Sequence, residues 1–160
     1  MPLRKPALDP LSLPPRSTSG YPEPYRSRVL PREKRALGDA LGLEKIGINH
    51  TTLPPGKESS MRHWHTHEEE FIFVLAGEVV LRTDSGEQVL TAGMCAGFPP
   101  SADGKAGDGH QLVNRGDVPA VYLEISDRNP ADGAHYPDDD LQFHGIDAAV
   151  RFTRKDGSVF

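Results

Sequence analysis

The sequence has a single cysteine, Cys95, so no internal disulfide can form and nothing ties the chain to an oxidising compartment. A reducing cytoplasm is the expected setting. It has no excess of basic residues either: 18 lysines and arginines stand against 23 acidic residues, a formal net charge of -5. That balance offers no electrostatic footprint for a phosphate backbone or an anionic lipid surface, so neither nucleic acid nor membrane is an expected partner. No apolar run approaches the roughly 18 residues of a membrane-spanning helix. Arg4 and Lys5 are followed by Pro6, Asp9, Pro10, Pro14 and Pro15, so no apolar stretch of a secretory leader is read there. There is no G-x-S-x-G nucleophile elbow, and the glycine-rich stretch 104–109 lacks the G-K-[ST] ending of a phosphate-binding loop. Nucleotide hydrolysis is therefore excluded as an expectation, and Cys95 reads as a buried structural thiol.

What the sequence does have is 16 glycines and 15 prolines in 160 residues, too many breakers for a helical bundle. Thirty-six per cent hydrophobic residues are enough for one core, and the length suits one domain. Residues 1–31 carry eight of the prolines, which deny that segment a helix or a paired strand and make it an arm. Leu11, Leu13, Tyr21 and Tyr25 give the arm side chains with which to dock on the domain. Residues 32–43 permit one or two helical turns, limited by Gly38 and Gly42.

From Lys45 onward, short β-branched and aromatic runs alternate with turn residues, at 45–53, 61–65, 70–75, 78–83, 87–90, 94–98, 110–114 and 118–126. Pro54-Pro55-Gly56, Ala76-Gly77, Asp84-Ser85-Gly86, Ala92-Gly93 and Arg115-Gly116-Asp117 separate them. About eight strands in about 80 residues describe an all-β sandwich or small barrel, and a jelly roll has that strand count. The organisation expected is an arm with a short helix over 1–43, a β-barrel over 44–128 and a C-terminal extension over 129–160. Phe71-Ile72-Phe73-Val74-Leu75 is apolar on both faces of its strand. Ile72 and Val74 would line the interior with Glu70, leaving Phe71, Phe73 and Leu75 to be covered by the arm or by a second copy in a homodimer.

The densest chemistry is His63-Trp64-His65-Thr66-His67. On an extended strand His63 and His65 share a face and present two imidazoles to one ion. Glu70 has the wrong parity for that face unless residues 66–69 turn the chain, in which case its carboxylate returns beside the imidazoles. His110, opening Gln111-Leu112-Val113, can close the site from a neighbouring strand. Three imidazoles and a carboxylate suit one divalent transition metal such as Zn, Mn, Fe or Ni, with positions left for water or substrate. So much nitrogen disfavours calcium. His67 reads as a residue of the bend, Glu68 and Glu69 as solvated turn residues, and Asn114 as a group satisfying backbone. Phe98 reads as either pocket mouth or core, Lys105 as a solvated loop lysine, Asp138-Asp139-Asp140 as a charged surface turn, and His50, His135 and His144 as surface residues.

These residues resemble the cupins, whose first motif is G-x5-H-x-H-x(3,4)-E-x6-G and whose second is G-x5-P-x-G-x2-H-x3-N. His63, His65, Glu70 and Gly77 fit the first, with Gly56 one residue too distant from His63. Gly93 and Pro99 open the second, and His110 and Asn114 end it. Ser101 replaces the middle glycine, and the gap from Pro99 to His110 is about six residues longer than the pattern. The resemblance covers residues 45–128 and is greatest to small single-domain cupins grouped with sugar-phosphate isomerases. It implies a double-stranded β-helix, the jelly-roll barrel of that family, with His63, His65, Glu70 and His110 as metal ligands. The function it implies is metal-dependent isomerisation of a small, polar, sugar-like substrate. A non-haem iron dioxygenase and a non-catalytic metal- or ligand-binding cupin are the alternatives, and no catalytic base is identified.

Overall fold

The computed structural model describes residues 3–101 and 106–160. Lys105 therefore lies outside the described residues. Two antiparallel sheets face each other across the main core. The larger has five strands: β1 (Glu33–Ala36), β2 (Gly47–Leu53), β9 (Ala120–Ser126), β4 (Glu70–Ala76) and β7 (Cys95–Phe98), in that spatial order. Opposite it lie β6 (Gly86–Thr91), β5 (Glu78–Thr83) and β8 (Gln111–Val113). Four two-residue strands make a third sheet: β12 (Phe152–Thr153), β11 (Gln142–Phe143), β10 (Ala134–His135) and β3 (Trp64–His65).

The alternation expected of β4 is present. Ile72 and Val74 are buried with Leu53, Val79, Leu81, Leu90, Leu112 and Tyr122, while Phe71 and Leu75 are exposed. Each of these buried side chains contributes roughly 1.5–3 kcal/mol by leaving water, so the two facing sheets define the barrel. Gly77 turns the chain from β4 into β5 at φ +71°, and a Cβ there would lie 2.9 Å from the carbonyl oxygen of Pro119. Only glycine meets both conditions. Asn114 is wholly buried; its amide donates to the carbonyls of Leu53 and Val118, and its Oδ1 accepts from the Gly116 N–H.

The arm departs from expectation. Tyr25–Val29 form a helix, α1, because residues 25–30 are free of proline, while Pro24 occupies its N-cap and Pro31 follows its end. Neither position needs the N–H that proline lacks. The arm also pairs with the barrel, since Arg16 and Lys34 exchange both backbone hydrogen bonds. The segment expected to be helical over 32–43 is divided. Glu33–Ala36 is an edge strand paired with Thr52–Asn49, and only Leu37–Leu41 (α2) is helical. Backbone pairing to β2 outweighs a helix propensity worth tenths of a kcal/mol per residue.

A second core joins the arm to the C-terminal extension. Tyr25 and Val29 of α1 pack with Met61, Ala134, Tyr136 and Leu141. Arg28 clamps both parts, 2.9 Å from Glu58 and 2.9 Å from Asp139, and Arg62 holds Asp138. Asp138 and Asp140 are exposed in a bend, as expected of a charged surface turn, while Asp139 is half-buried in its pairing with Arg28. Cys95, expected to be buried, is exposed on edge strand β7. His50, expected on the surface, is buried on β2 beside the edge strand β1, and its Nδ1 has no hydrogen-bond partner. His135 is half-buried and stacks on Trp64, whereas His144 is exposed, as expected, and bonds Thr153.

Candidate metal centre

His63 and His110 face each other across an antiparallel bridge, with His63 N–H to His110 O at 3.1 Å and the reverse bond at 2.8 Å. His65 lies two residues farther along, on the same face. Residues 66–69 then turn the chain, and Glu70, the first residue of β4, returns to the imidazoles. Gly107 lets the returning loop approach closely, since a Cβ there would lie 2.9 Å from the side chain of Trp64. The ligating atoms of His63, His65, Glu70 and His110 all lie within 4.8 Å of one another, a group that could hold a metal ion.

Hydrogen bonds outside the cluster fix how two of the imidazoles face it. His63 Nδ1 donates to the Met61 carbonyl at 2.8 Å, and His65 Nδ1 donates to Asp132 Oδ2 at 2.6 Å. Both rings therefore turn Nε2 inward, and these two nitrogens are 3.0 Å apart. Two neutral imidazoles so held would oppose lone pairs at hydrogen-bond distance, so a proton or a metal cation belongs between them. The donor set thus fits a transition metal, with His63, His65, Glu70 and His110 as the residues that would hold it. His110 is held differently: its Nε2 is 2.7 Å from Glu70 Oε2, its Nδ1 is buried without a partner, and its ring stacks on Phe98 at 3.8 Å.

Electrostatics agree with a site that demands positive charge. Burial and the neighbouring His110 and His65 push His63 down to about 3. Burial also opposes charge on His65, but its hydrogen bonds with Asp132 and Glu70 outweigh it and raise the group to about 10. Burial would raise Glu70, yet the bonds from His110 and His65 hold it well below the usual carboxylate range. Without metal, His65 holds the extra proton beside Glu70 and Asp132, where a cation would otherwise sit.

Asp132 has no counterpart among the residues singled out by sequence. Besides His65, it accepts the backbone N–H groups of His67 and Glu68 on Oδ1, at 2.9 and 3.0 Å. It thereby fixes both the His65 tautomer and the bend that brings Glu70 back. Glu68, expected in solvent, is half-buried beside His65 and Asp132, and burial raises its pKa. His67 is exposed and belongs to the bend.

The cluster opens on a cavity of about 250 Å³, floored by the barrel and roofed by Tyr21 of the arm with Tyr136, Phe143 and Phe152 of the extension. Phe98, Tyr122, Lys34, Glu124 and Arg32 also line it. The cavity is smaller than the usual range for drug-sized ligands and selects a small compound. Among the described residues no helix is long and apolar enough to cross a membrane.

A family model described as Cupin domain matches residues 49–126. A structure from Silicibacter pomeroyi, described as a sugar phosphate isomerase from a cupin superfamily, is 40% identical. It covers 97% of this chain and 96% of its own, with a TM-score of 0.85. A putative sugar phosphate isomerase from Acidithiobacillus ferrooxidans is 30% identical over 78% of this chain and 77% of its own, with a TM-score of 0.70. The tetracenomycin polyketide synthase protein TcmJ of Streptomyces glaucescens is 33% identical over 84 residues. The chain spans about half the length of that curated relative, 52%.

Proposed function

Because the chain belongs to the cupin superfamily, we propose that it is a metal-dependent isomerase of a small, hydroxylated, sugar-like compound. The observation that carries this is the pair of inward-facing His63 and His65 Nε2 atoms beside Glu70, opening on a small cavity. The two sugar phosphate isomerase-like structures that match most of the chain support the reaction class. The TcmJ likeness extends over only half of either chain and gives it less support. A bound divalent ion would supply Lewis acidity toward a substrate carbonyl and its neighbouring hydroxyl.

The chain's own residues would do the rest. Glu70 and Glu124 are the carboxylates among the described lining residues, and Glu70 belongs to the metal cluster. Glu124 is therefore assigned the carbon proton transfer: one of its oxygens takes a proton from the hydroxyl-bearing carbon next to the carbonyl and returns it to the former carbonyl carbon, while the hydroxyl proton passes to the former carbonyl oxygen. Lys34 pairs with Glu124 Oε1, and Thr51 Oγ1 donates to Oε2 at 3.5 Å, so the carboxylate is positioned from the β1 and β2 side. Tyr21, Tyr136, Phe143 and Phe152 roof the cavity and restrict water, as an exchange-prone intermediate requires.

The test is a sugar-isomer screen on metal-loaded protein, run alongside oxygen consumption. Turnover in wild type that falls by about 10²-fold or more in Glu124→Gln, with metal content unchanged, is the expected result. Oxygen consumption without isomer formation would replace this reading with a dioxygenase, and no turnover of either kind with metal tightly held would replace it with a binding protein.

A further inference from the structure

Isomerisation moves one proton between two carbons and another between two oxygens, and Glu124 accounts for the first alone. Outside the histidine cluster, the described residues of the lining include two cations, Lys34 and Arg32. Arg32 is buried against the Ser59 carbonyl, and a guanidinium does not give up its proton. The Tyr122 hydroxyl is buried, and burial, with Glu124 beside it, pushes its pKa above the usual tyrosine range. Burial does the same to Tyr21 and Tyr136, whose hydroxyls face each other at 3.4 Å. Lys34 differs from all of these. Its side chain is 29% exposed and that of its partner Glu124 21%, so both can be reached from the cavity they line. Lys34 lies on β1 opposite Thr51 of β2, and Glu124 lies on β9 opposite Asn49, so the ion pair crosses β2 diagonally. The arm holds the other side of Lys34, whose backbone N–H and carbonyl both bond Arg16, at 2.9 and 2.8 Å. An ammonium has three donors; among the described residues Glu124 takes one, which leaves two for substrate oxygens.

We propose that Lys34 and Glu124 act as one proton relay, in which Lys34 carries the proton between the two substrate oxygens while Glu124 carries the proton between the two carbons. This rests on the isomerase reading for the reaction. In the first half, Glu124 takes the proton of the hydroxyl-bearing carbon and the C–H electron pair becomes a C=C bond. The carbonyl π pair meanwhile takes a proton from Lys34 Nζ, which leaves an enediol, a neutral carboxyl and a neutral amine. In the second half, the amine takes the proton of the original hydroxyl, whose oxygen becomes the new carbonyl. The Glu124 carboxyl returns its proton to the former carbonyl carbon, and the pair ends as it began. The pairing couples the two transfers. Burial and Arg32 lower the pKa of Lys34 against the opposing pull of Glu124 and Glu70. When Glu124 accepts a proton, the partner charge of Lys34 disappears, and an ammonium left in the cavity beside Arg32 gives its proton to the substrate oxygen. Neither half changes the net charge of the cavity.

The test compares metal-loaded wild type, Lys34→Arg and Lys34→Ala on a sugar isomer that wild type turns over, with metal content measured in each. Lys34→Arg keeps a positive partner for Glu124 but cannot release a proton, so kcat should fall about 10²-fold or more with KM within about threefold. Lys34→Ala should fall similarly and be restored about tenfold or more by methylammonium. Tetramethylammonium, which brings the same charge without a proton, should not restore it. A kcat for Lys34→Arg within about threefold of wild type, or equal rescue by both cations, overturns the relay and leaves Lys34 a positioning residue. A second measurement needs no substrate: NMR titration of the Lys34 amine in zinc-loaded protein carrying ¹³C-labelled lysine. Its midpoint should lie about one pH unit or more lower in Glu124→Gln than in wild type. An unchanged midpoint overturns the coupling whether or not a substrate turns over. If Lys34→Arg does not fold, the rescue of Lys34→Ala and the midpoint decide. Absence of turnover in wild type counts against the isomerase reading, and the midpoint then decides the coupling by itself.

Discussion

Replacing Asp132 by asparagine separates the orienting of His65 from the folding of the loop around it. Asp132 is 5% exposed, and its two oxygens have different duties. Oδ1 accepts the N–H groups of His67 and Glu68, whereas Oδ2 accepts His65 Nδ1–H at 2.6 Å. An asparagine can keep its oxygen on the two backbone donors, which then turns its amide N–H₂ toward His65. Nδ1 must then accept, the ring proton moves to Nε2, and Nε2 loses the lone pair that a metal needs. Loss of such an orienting partner typically weakens metal binding about 10–100-fold, or about 1.4–2.8 kcal/mol. Competition of zinc between the protein and a chelator of known affinity, with denaturation curves for both proteins, measures the two effects separately. A tenfold or greater loss of affinity with little loss of metal-free stability is expected. Affinity within about twofold of wild type would refute the role given to Asp132 and to the His65 tautomer.

Two further outcomes follow from the charges and surfaces described. In chelator-treated protein, His65, raised to about 10, holds a proton that the unfolded chain loses near 6.5, so its stabilisation is present below 6.5 and lost as pH rises toward 10. His63, lowered to about 3, stays neutral where the unfolded chain protonates, and Glu70 stays ionised, so stability also falls as pH drops below about 6.5. Urea titrations should therefore find maximal metal-free stability near neutrality; stability that is flat or rises between pH 7 and 10 would contradict the charge assignment. On the outer face of the large sheet, Phe71 and Leu75 remain exposed beside half-buried Phe73. A two-fold homodimer is expected to cover them, and Phe73→Asp should shift light scattering from dimer to monomer. A clean monomer for the unmutated protein at micromolar concentration would exclude that pairing.

The parts legible in the sequence are those in which a period or a fixed spacing carries the information. The run 78–83 is β5 residue for residue, bounded by Gly77 and the Asp84-Ser85-Gly86 turn. The apolar run 71–75 divides its faces as a strand must, with Ile72 and Val74 inward. His63, His65, Glu70 and His110 were recognisable because strand parity and one turn suffice to gather them. Asp132, Arg32 and Tyr136 have no such local signal. They come from the arm and the extension, whose two-residue strands and single-turn helix show no period, and they reach the site only through long-range packing. The same limit explains His50 and Cys95. His50 lies on β2 with β1 paired outside it, Cys95 lies on the edge strand β7, and strand order is not written in either residue's neighbours.

The most direct test is metal content by elemental analysis of purified wild type, His65→Ala and His110→Ala after equilibration with one divalent transition metal and removal of the excess. One metal per wild-type chain, with most of it lost in both variants, is the result predicted for a centre built by His63, His65, Glu70 and His110. Full occupancy in both variants, or no metal in any of the three proteins, would contradict it.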